Sequence, residues 1–122
     1  MAAAKYDTEI VQGATFHRVI RYRDPTGAAI DLTGARVLFQ VRKSADDATS
    51  FLDFDSDSLQ TGMTCGALDD TGTIDFTVSG DLTALLDFRS AVWDLFVVFD
   101  GGEDDCLFEG KLNLRRAVTR WR

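Results

Sequence analysis

Three groups of residues in this chain have types and spacings that could support chemistry, and the first two are a single histidine and a pair of cysteines. His17 could ligate a metal, but no second His or Cys lies near it at ligand spacing, so we expect an ordinary surface or packed side chain. Cys65 and Cys106 could form one disulfide or remain two small buried thiols. The absence of a signal-peptide pattern indicates a reducing cytosol, which favours free thiols.

A third group is the run Asp53-Phe54-Asp55-Ser56-Asp57, where acids at alternate positions resemble the start of a calcium-binding loop. Such a loop requires glycine at its sixth position and glutamate at its twelfth, and this chain has Ser58 and Thr64 there. We therefore expect no metal. The sequence also lacks a nucleophile elbow, a phosphate-binding loop and a dinucleotide fingerprint, so we predict no catalytic residue, no cofactor and no enzymatic activity.

Size and charge limit the remaining classes. A chain of 122 residues predicts one domain, 1–122, that can bury its own core. The formal net charge of −7 argues against nucleic acid or an anionic membrane as a partner, because both would be repelled. No apolar run approaches the roughly 20 residues that a membrane-spanning helix needs.

Basic residues crowd the C-terminal end of this acidic chain. Together with one tryptophan they form the predicted partner-binding set, at Arg115, Arg116, Arg120, Trp121 and Arg122. The arginines would form charge-assisted hydrogen bonds to carboxylates of a partner, and the tryptophan would be an anchor. A frayed, solvated terminus is the alternative interpretation that composition leaves open.

The hydropathy pattern along the chain has a period of two, which is typical of β-strands. Val37, Phe39 and Val41 alternate with polar residues, whereas residues 92–99 are almost continuously apolar and predict a central strand buried on both faces. Turn signals occur at 24–27 and 69–72, an edge strand is predicted at 51–54, and one short helix is predicted near 80–87.

These elements predict an all-β fold, an immunoglobulin-like antiparallel β-sandwich of seven to eight strands. The short helix would lie at the corner between the strands called E and F, with Trp93 near the usual place of the corner tyrosine. A short N-terminal arm (1–6) and a basic C-terminal arm (115–122) would flank the sandwich.

Several segments resemble a family of small virion proteins of tailed bacteriophages. The segments are Ile10-Val11-Gln12-Gly13-Ala14-Thr15-Phe16, Ile30-Asp31-Leu32-Thr33-Gly34-Ala35, Trp93-Asp94-Leu95, Leu107-Phe108-Glu109-Gly110-Lys111-Leu112 and Val118-Thr119-Arg120. In order and spacing they are similar to the N-terminal immunoglobulin-like domain of phage baseplate upper proteins, and the likeness covers nearly the whole chain. From the residues themselves we expect Asp31–Gly34 to be a turn into a strand and Gly110 to mark a β-bulge.

The resemblance implies a structural connector or adaptor of a tailed-phage virion, in the tail or baseplate and assembled in the bacterial cytoplasm. Its partners would be other virion proteins, such as tail, baseplate or fibre components. The chain would be present in several symmetry-related copies. Nothing in this chain corresponds to the region that follows the sandwich in baseplate upper proteins. A capsid decoration or head-completion protein and a carbohydrate-binding module therefore stay open as alternatives.

Overall fold

The structure is a computed structural model that describes residues 3–121. Within that range the chain forms nine strands and one four-residue helix, in the following order. The elements are β1 (Ala4–Lys5), β2 (Thr8–Val11), β3 (Phe16–Arg21), β4 (Arg36–Arg42), β5 (Leu52–Asp55), β6 (Met63–Cys65), β7 (Thr73–Val78), α1 (Gly80–Thr83), β8 (Ser90–Val98) and β9 (Asp104–Arg115).

The strands form the two sheets of a sandwich, as predicted. One sheet has the order β1-β9-β8-β4-β5, with β2 also paired to β9, and the other has the order β3-β7-β6. This arrangement matches the immunoglobulin-like pattern, in which strands B, E and D form one sheet and G, F, C and C′ form the other. The helix α1 lies between β7 and β8, which is the predicted E–F corner. The N-terminal strands β1 and β2 run parallel to β9.

Aromatic side chains join the two sheets in the core. Phe39 on β4 packs with its ring centroid 4.8 Å from that of Phe76 on β7 and 4.8 Å from that of Phe54 on β5. The indole of Trp93 on β8 lies 5.7 Å from the ring of Phe39 and is only 3% exposed. The predicted inward set of Val37, Phe39 and Val41 is fully buried, so the alternation in β4 identified one layer of the core.

Four turns share the pattern Asp-x-Thr, and each closes on its own aspartate. In each turn, Oδ1 of the aspartate accepts hydrogen bonds from both the backbone N–H and the hydroxyl of the threonine two residues later. The four aspartates are Asp24, Asp31, Asp47 and Asp69. Hydrogen bonds to the ionised form lower the pKa of all four carboxyls. The predicted turn at 31–34 is present, and it buries Leu32 and holds Gly34 at φ +77°.

The structure corrects the prediction for residues 92–99. Burial along β8 alternates, with Ala91, Trp93, Leu95 and Val97 buried and Phe96 39% exposed. The three-stranded sheet covers one face of β8, while the other face of the strand stays partly open within the described chain. The helix is also shorter than predicted, and strands β1 and β6 were not predicted.

Gly110 was expected to mark a bulge, but its role is different. The irregularity in the β8–β9 pairing falls at Leu107, which has no partner between Cys106 and Phe108. Gly110 pairs regularly with Trp93. It lies beside the short segment that connects β1 to β2. A Cβ at this glycine would lie 2.2 Å from the carbonyl oxygen of Tyr6, so the position has no room for a side chain.

The N-terminal segment is therefore part of the sheet rather than a loose arm. The Tyr6 backbone N–H donates to the Glu109 carbonyl at 2.9 Å, and the Tyr6 carbonyl accepts from Trp93 Nε1 at 3.0 Å. The Tyr6 ring packs on Trp93 and Phe108, with centroids 5.7 and 5.0 Å away. The prediction of a loose arm at 1–6 is therefore wrong for residues 4–6. Met1 and Ala2 lie outside the described residues.

Candidate partner-binding surfaces

The predicted C-terminal set is divided by the structure. Arg115 is the last residue of β9 rather than part of an arm, and its Nε lies 3.8 Å from Glu9 Oε1. Arg116 forms an ion pair with Asp87. The C-terminal arm consequently begins at Arg116, and Arg115 and Arg116 each have an acidic neighbour within the chain. Arg122 lies outside the described residues.

Arg120 and Trp121 lie together at one end of the sandwich. They line a small concavity of about 90 Å³ with the β2–β3 turn at Gln12 and Gly13 and with Ala84 just after α1. The Ala117 backbone N–H donates to Gln12 Oε1 at 3.3 Å, which ties the start of the arm to this turn. Among residues 3–121 no ion pair with Arg120 is present.

Large apolar side chains are exposed at the same end. Trp121 is 67% exposed, Val118 is 96% exposed and Leu85, on the segment after α1, is 78% exposed. We call residues 116–121 with Ala84 and Leu85 the arm surface. Clustered exposed apolar groups beside arginines are typical of protein–protein contacts.

A second candidate surface, missed from the sequence, is the outer face of the larger sheet. A shallow depression of about 640 Å³ lies across β4, β8 and β9. Its apolar floor is formed by four partly exposed side chains, Leu38, Val92, Phe96 and Val98. Cys106 lies directly opposite Phe96 in the strand register, on the same face. We call this region the sheet depression.

Two carboxylates adjoin this apolar floor. Asp94 and Glu109 are directly opposite each other on β8 and β9, and both line the sheet depression. Burial raises the pKa of Asp94, and the neighbouring Glu109 charge raises it further, while Arg42 lowers it. Like charges at directly opposed positions destabilise a sheet. Three cations, Lys5, Arg42 and Lys111, also line the depression, so carboxylates and cations lie side by side next to its exposed apolar groups.

We expect Asp94→Asn to increase the free energy of unfolding at neutral pH. The pKa of Asp94 is raised in the folded chain, so the ionised carboxylate opposes folding. This cost begins as pH rises from the unfolded-state pKa through the higher folded-state pKa, and it persists above that window. Urea unfolding should show a stabilisation at about pH 7 that disappears near pH 3, below the unfolded-state pKa.

The exposed turn variant Asp70→Asn controls for the amide substitution itself. A pH-independent stability difference between Asp94→Asn and the wild-type chain would contradict the assigned role of Asp94.

The chemistry-bearing residues named from the sequence have ordinary structural partners. His17 Nε2 lies 2.7 Å from Asp75 Oδ1 on the neighbouring strand, and both side chains are half-exposed. Asp55 accepts two hydrogen bonds from Arg36, which lower its pKa, and Asp57 lies 3.7 Å from the same guanidinium. A guanidinium thus faces the carboxylates that resembled a calcium loop.

The two cysteines are free thiols in different sheets. Cys65 ends β6, Cys106 lies on β9, and both are partly buried. Burial raises the pKa of each thiol, and nearby carboxylates raise it further, Asp75 beside Cys65 and Asp94 beside Cys106. Raised thiol pKa values lower the thiolate fraction, which makes reactive cysteine chemistry unfavourable at either position.

Residues 3–121 contain no cluster of three or more His, Cys, Asp or Glu side chains able to hold a metal ion. In the same range no helix has the length and apolar character to cross a membrane. Comparison of the chain with protein-family models and with curated proteins found no match. Functional inference therefore depends on the resemblance of its segments and on the two surfaces described above.

Proposed function

We propose that this chain is a structural connector of a tailed-bacteriophage virion, in the tail or baseplate, and that it acts by binding neighbouring virion proteins rather than by catalysis. It would be assembled in the bacterial cytoplasm and repeated in symmetry-related copies. The resemblance of its segments to phage virion proteins supports the virion assignment. The immunoglobulin-like fold is compatible with it, although this fold serves many functions.

The observation that carries the connector role is the exposure of Trp121, Val118 and Leu85 at one end of the sandwich. Burying such side chains against a partner would remove apolar area from water, at roughly 25 cal/mol per Å². Arg120 next to them would supply a charge-assisted hydrogen bond to an acidic partner. The acidic body of the chain, with its net charge of −7, would be repelled by nucleic acid and anionic lipid.

Two point substitutions in the arm should strongly reduce incorporation without unfolding the domain. Truncation at 115 is unsuitable because the Gln12 N–H donates to the Arg115 carbonyl at 2.9 Å within the sheet. We expect Val118→Ser with Trp121→Ser to reduce the amount of chain in purified particles at least about tenfold, because a buried Trp anchor contributes about 2 kcal/mol or more. Quantitative mass spectrometry of density-purified particles measures this amount.

The matched control is Val19→Ser, which removes an exposed valine from the opposite sheet. This control should incorporate normally, and thermal unfolding should show that both variants are folded. Normal incorporation of the arm variant would contradict the proposed role of the arm surface.

Labelling of particles distinguishes the related alternative. A capsid decoration or head-completion protein would be found on the head, whereas a connector of the tail or baseplate would be found at the tail. For the carbohydrate-binding alternative, Trp93 offers no stacking platform because it is buried in the core.

A further inference from the structure

The three-stranded sheet ends in an open edge at β3. This six-residue strand pairs with β7 alone, so no strand lies beside its other edge within residues 3–121. In an antiparallel pair, alternate residues direct their N–H and C=O groups away from the partner strand. The Asp75 carbonyl accepts from the Gly66 N–H on the β6 side at 2.7 Å, so the backbone groups of Val19, opposite Asp75, face the open edge. By the same alternation, those of His17 and Arg21 face it too.

Part of this edge is already engaged within the chain. The Arg18 guanidinium donates to the carbonyl oxygen of His17 at 2.8 Å and to Thr8 Oγ1 on β2 at 2.7 Å. The part of the edge available to another strand is consequently at Val19 and Arg21, whose side chains are exposed. No ion pair with Arg21 is present in the described part of the chain.

The larger sheet has an open edge at β5, and this edge is acidic. The Ser56 N–H donates to the Val37 carbonyl on β4 at 2.9 Å, so the backbone groups of Asp53 and Asp55 face away from β4. Asp53 is exposed, and its carboxylate accepts from the Ser50 hydroxyl at 2.7 Å. Among residues 3–121 it forms no ion pair. The β5 edge therefore offers backbone groups and a carboxylate to a basic strand.

The other charged groups on these edges have partners of their own. Asp75, on the outer face beside β3, lies 2.7 Å from His17 Nε2. On the other edge, the Arg36 guanidinium forms ion pairs with Asp55 and Asp57. The guanidinium of β3 and the exposed carboxylate of β5 are thus the opposite charges that remain for a contact between the edges.

The two edges lie on opposite sides of the sandwich. The hydrogen bond from Arg18 to Thr8 places β3 beside β2, which pairs with β9 at one side of the larger sheet. Strand β5 is the last strand at the other side of that sheet. The two edges cannot pair within one chain, so a contact between them requires two copies.

We propose that the β5 edge of one copy adds to the β3 edge of a second copy as an antiparallel strand, with Asp53 opposite Arg21 and Asp55 opposite Val19. Backbone hydrogen bonds at these two positions would join the sheets, and the opposed Asp and Arg would add a cross-strand ion pair. The contact is heterologous, so its repetition builds a closed ring or an open array. It goes beyond the proposed function, which requires repeated copies but assigns no contact between them.

The first test removes one backbone donor from the edge. Sedimentation velocity of the purified full chain over a wide concentration range should show association. We expect Val19→Pro to associate at least about tenfold more weakly, because proline lacks the N–H that faces the open edge. Val19→Ser keeps this N–H and should associate like the wild-type chain. Urea unfolding shows whether both variants are folded, and a folded Val19→Pro that associates normally would overturn the inference.

A charge exchange tests the same pairing without proline. Arg21→Glu and Asp53→Arg should each weaken association about fivefold, because like charges would then oppose each other across the joined strands. The double variant should associate like the wild-type chain, and so should an equimolar mixture of the two single variants. Single variants that associate normally, or a double variant as weak as they are, would overturn the assigned pairing.

Amide hydrogen exchange locates the contact. The amides of Val19 and Arg21 should exchange at least about tenfold more slowly in the associated chain, because they become hydrogen-bonded. The amide of Ile20 faces β7 and should change little. Association without slower exchange at Val19 and Arg21 would overturn the inference, as would a wild-type chain that stays monomeric at every concentration. A segment of a different protein bound along β3 would overturn the assignment of the occupant.

The two proposals fail separately. Self-association is measured on the purified chain, whereas the connector role is measured by incorporation into particles. A monomeric chain whose incorporation still requires Trp121 would overturn the edge pairing and retain the connector role. A chain that associates through its edges but is absent from particles would do the reverse.

Discussion

Replacing Phe39 by alanine should destabilise the domain by about 3–5 kcal/mol, the range found when a buried aromatic ring leaves a cavity. Phe39 is 1% exposed and contacts Phe54 in its own sheet and Phe76 in the opposite sheet. Its removal therefore weakens the contact between the two layers. A domain of this size is stable by roughly 5–15 kcal/mol, so the loss is a large fraction of the total. Urea or guanidinium unfolding measures it.

Phe96→Ala is the matched control, because it removes the same ring from the outer face of the neighbouring strand β8. We expect it to cost less than about 1 kcal/mol, as substitutions of exposed residues usually do. Similar losses for the two variants would contradict the assignment of the core to the inner faces of the sheets.

Replacing Gly110 by alanine should release the N-terminal segment from the sheet. The new Cβ would lie 2.2 Å from the Tyr6 carbonyl oxygen, so Tyr6 must move away and lose its hydrogen bond from Trp93 Nε1. We expect a destabilisation of about 1–3 kcal/mol, as for overpacked sites. Hydrogen exchange should become faster at the Tyr6 amide, which donates to the Glu109 carbonyl in the wild-type chain.

Gly102→Ala is the control for this substitution, because a Cβ there meets nothing within 4 Å and its backbone is not left-handed. It should leave both stability and exchange at Tyr6 nearly unchanged. Equal effects of the two alanine substitutions would show that the close approach of Tyr6 to Gly110 does not hold the N-terminal segment in the sheet.

The sequence predicted the sandwich because its signals are local. The alternation Val37, Phe39, Val41 depends on a period of two, and the turn at 31–34 depends on the Asp-x-Thr pattern and a glycine with positive φ. Strands β1 and β6 were missed because two or three residues are too short to show any period. Their pairing depends on distant partners in β9 and β7.

The error at residues 92–99 has a physical explanation. The almost continuously apolar sequence predicts burial on both faces of a strand, but the structure buries one face and leaves Phe96, Val92 and Val98 partly open. Excess hydrophobicity on an uncovered strand face is itself a signal of a binding surface. Recognising it required knowledge of which face the second sheet covers, and that information is not local.

The structure divides the predicted C-terminal set for a similar reason. Clustering in sequence placed Arg115 and Arg116 with Arg120 and Trp121, but the first two have acidic partners elsewhere in the fold, Glu9 and Asp87. Only the fold could reveal these partners. Arg120 and Trp121, which the sequence named, have the exposure that a docking role requires.

The most direct test of the connector role is the location of the chain in purified tailed particles, measured by electron cryomicroscopy with a gold-labelled antibody as a second marker. We predict density for the sandwich at the tail or baseplate, repeated around the particle axis. Absence of the chain from purified particles would contradict the connector role. Density on the head would contradict the tail placement and favour the capsid alternative.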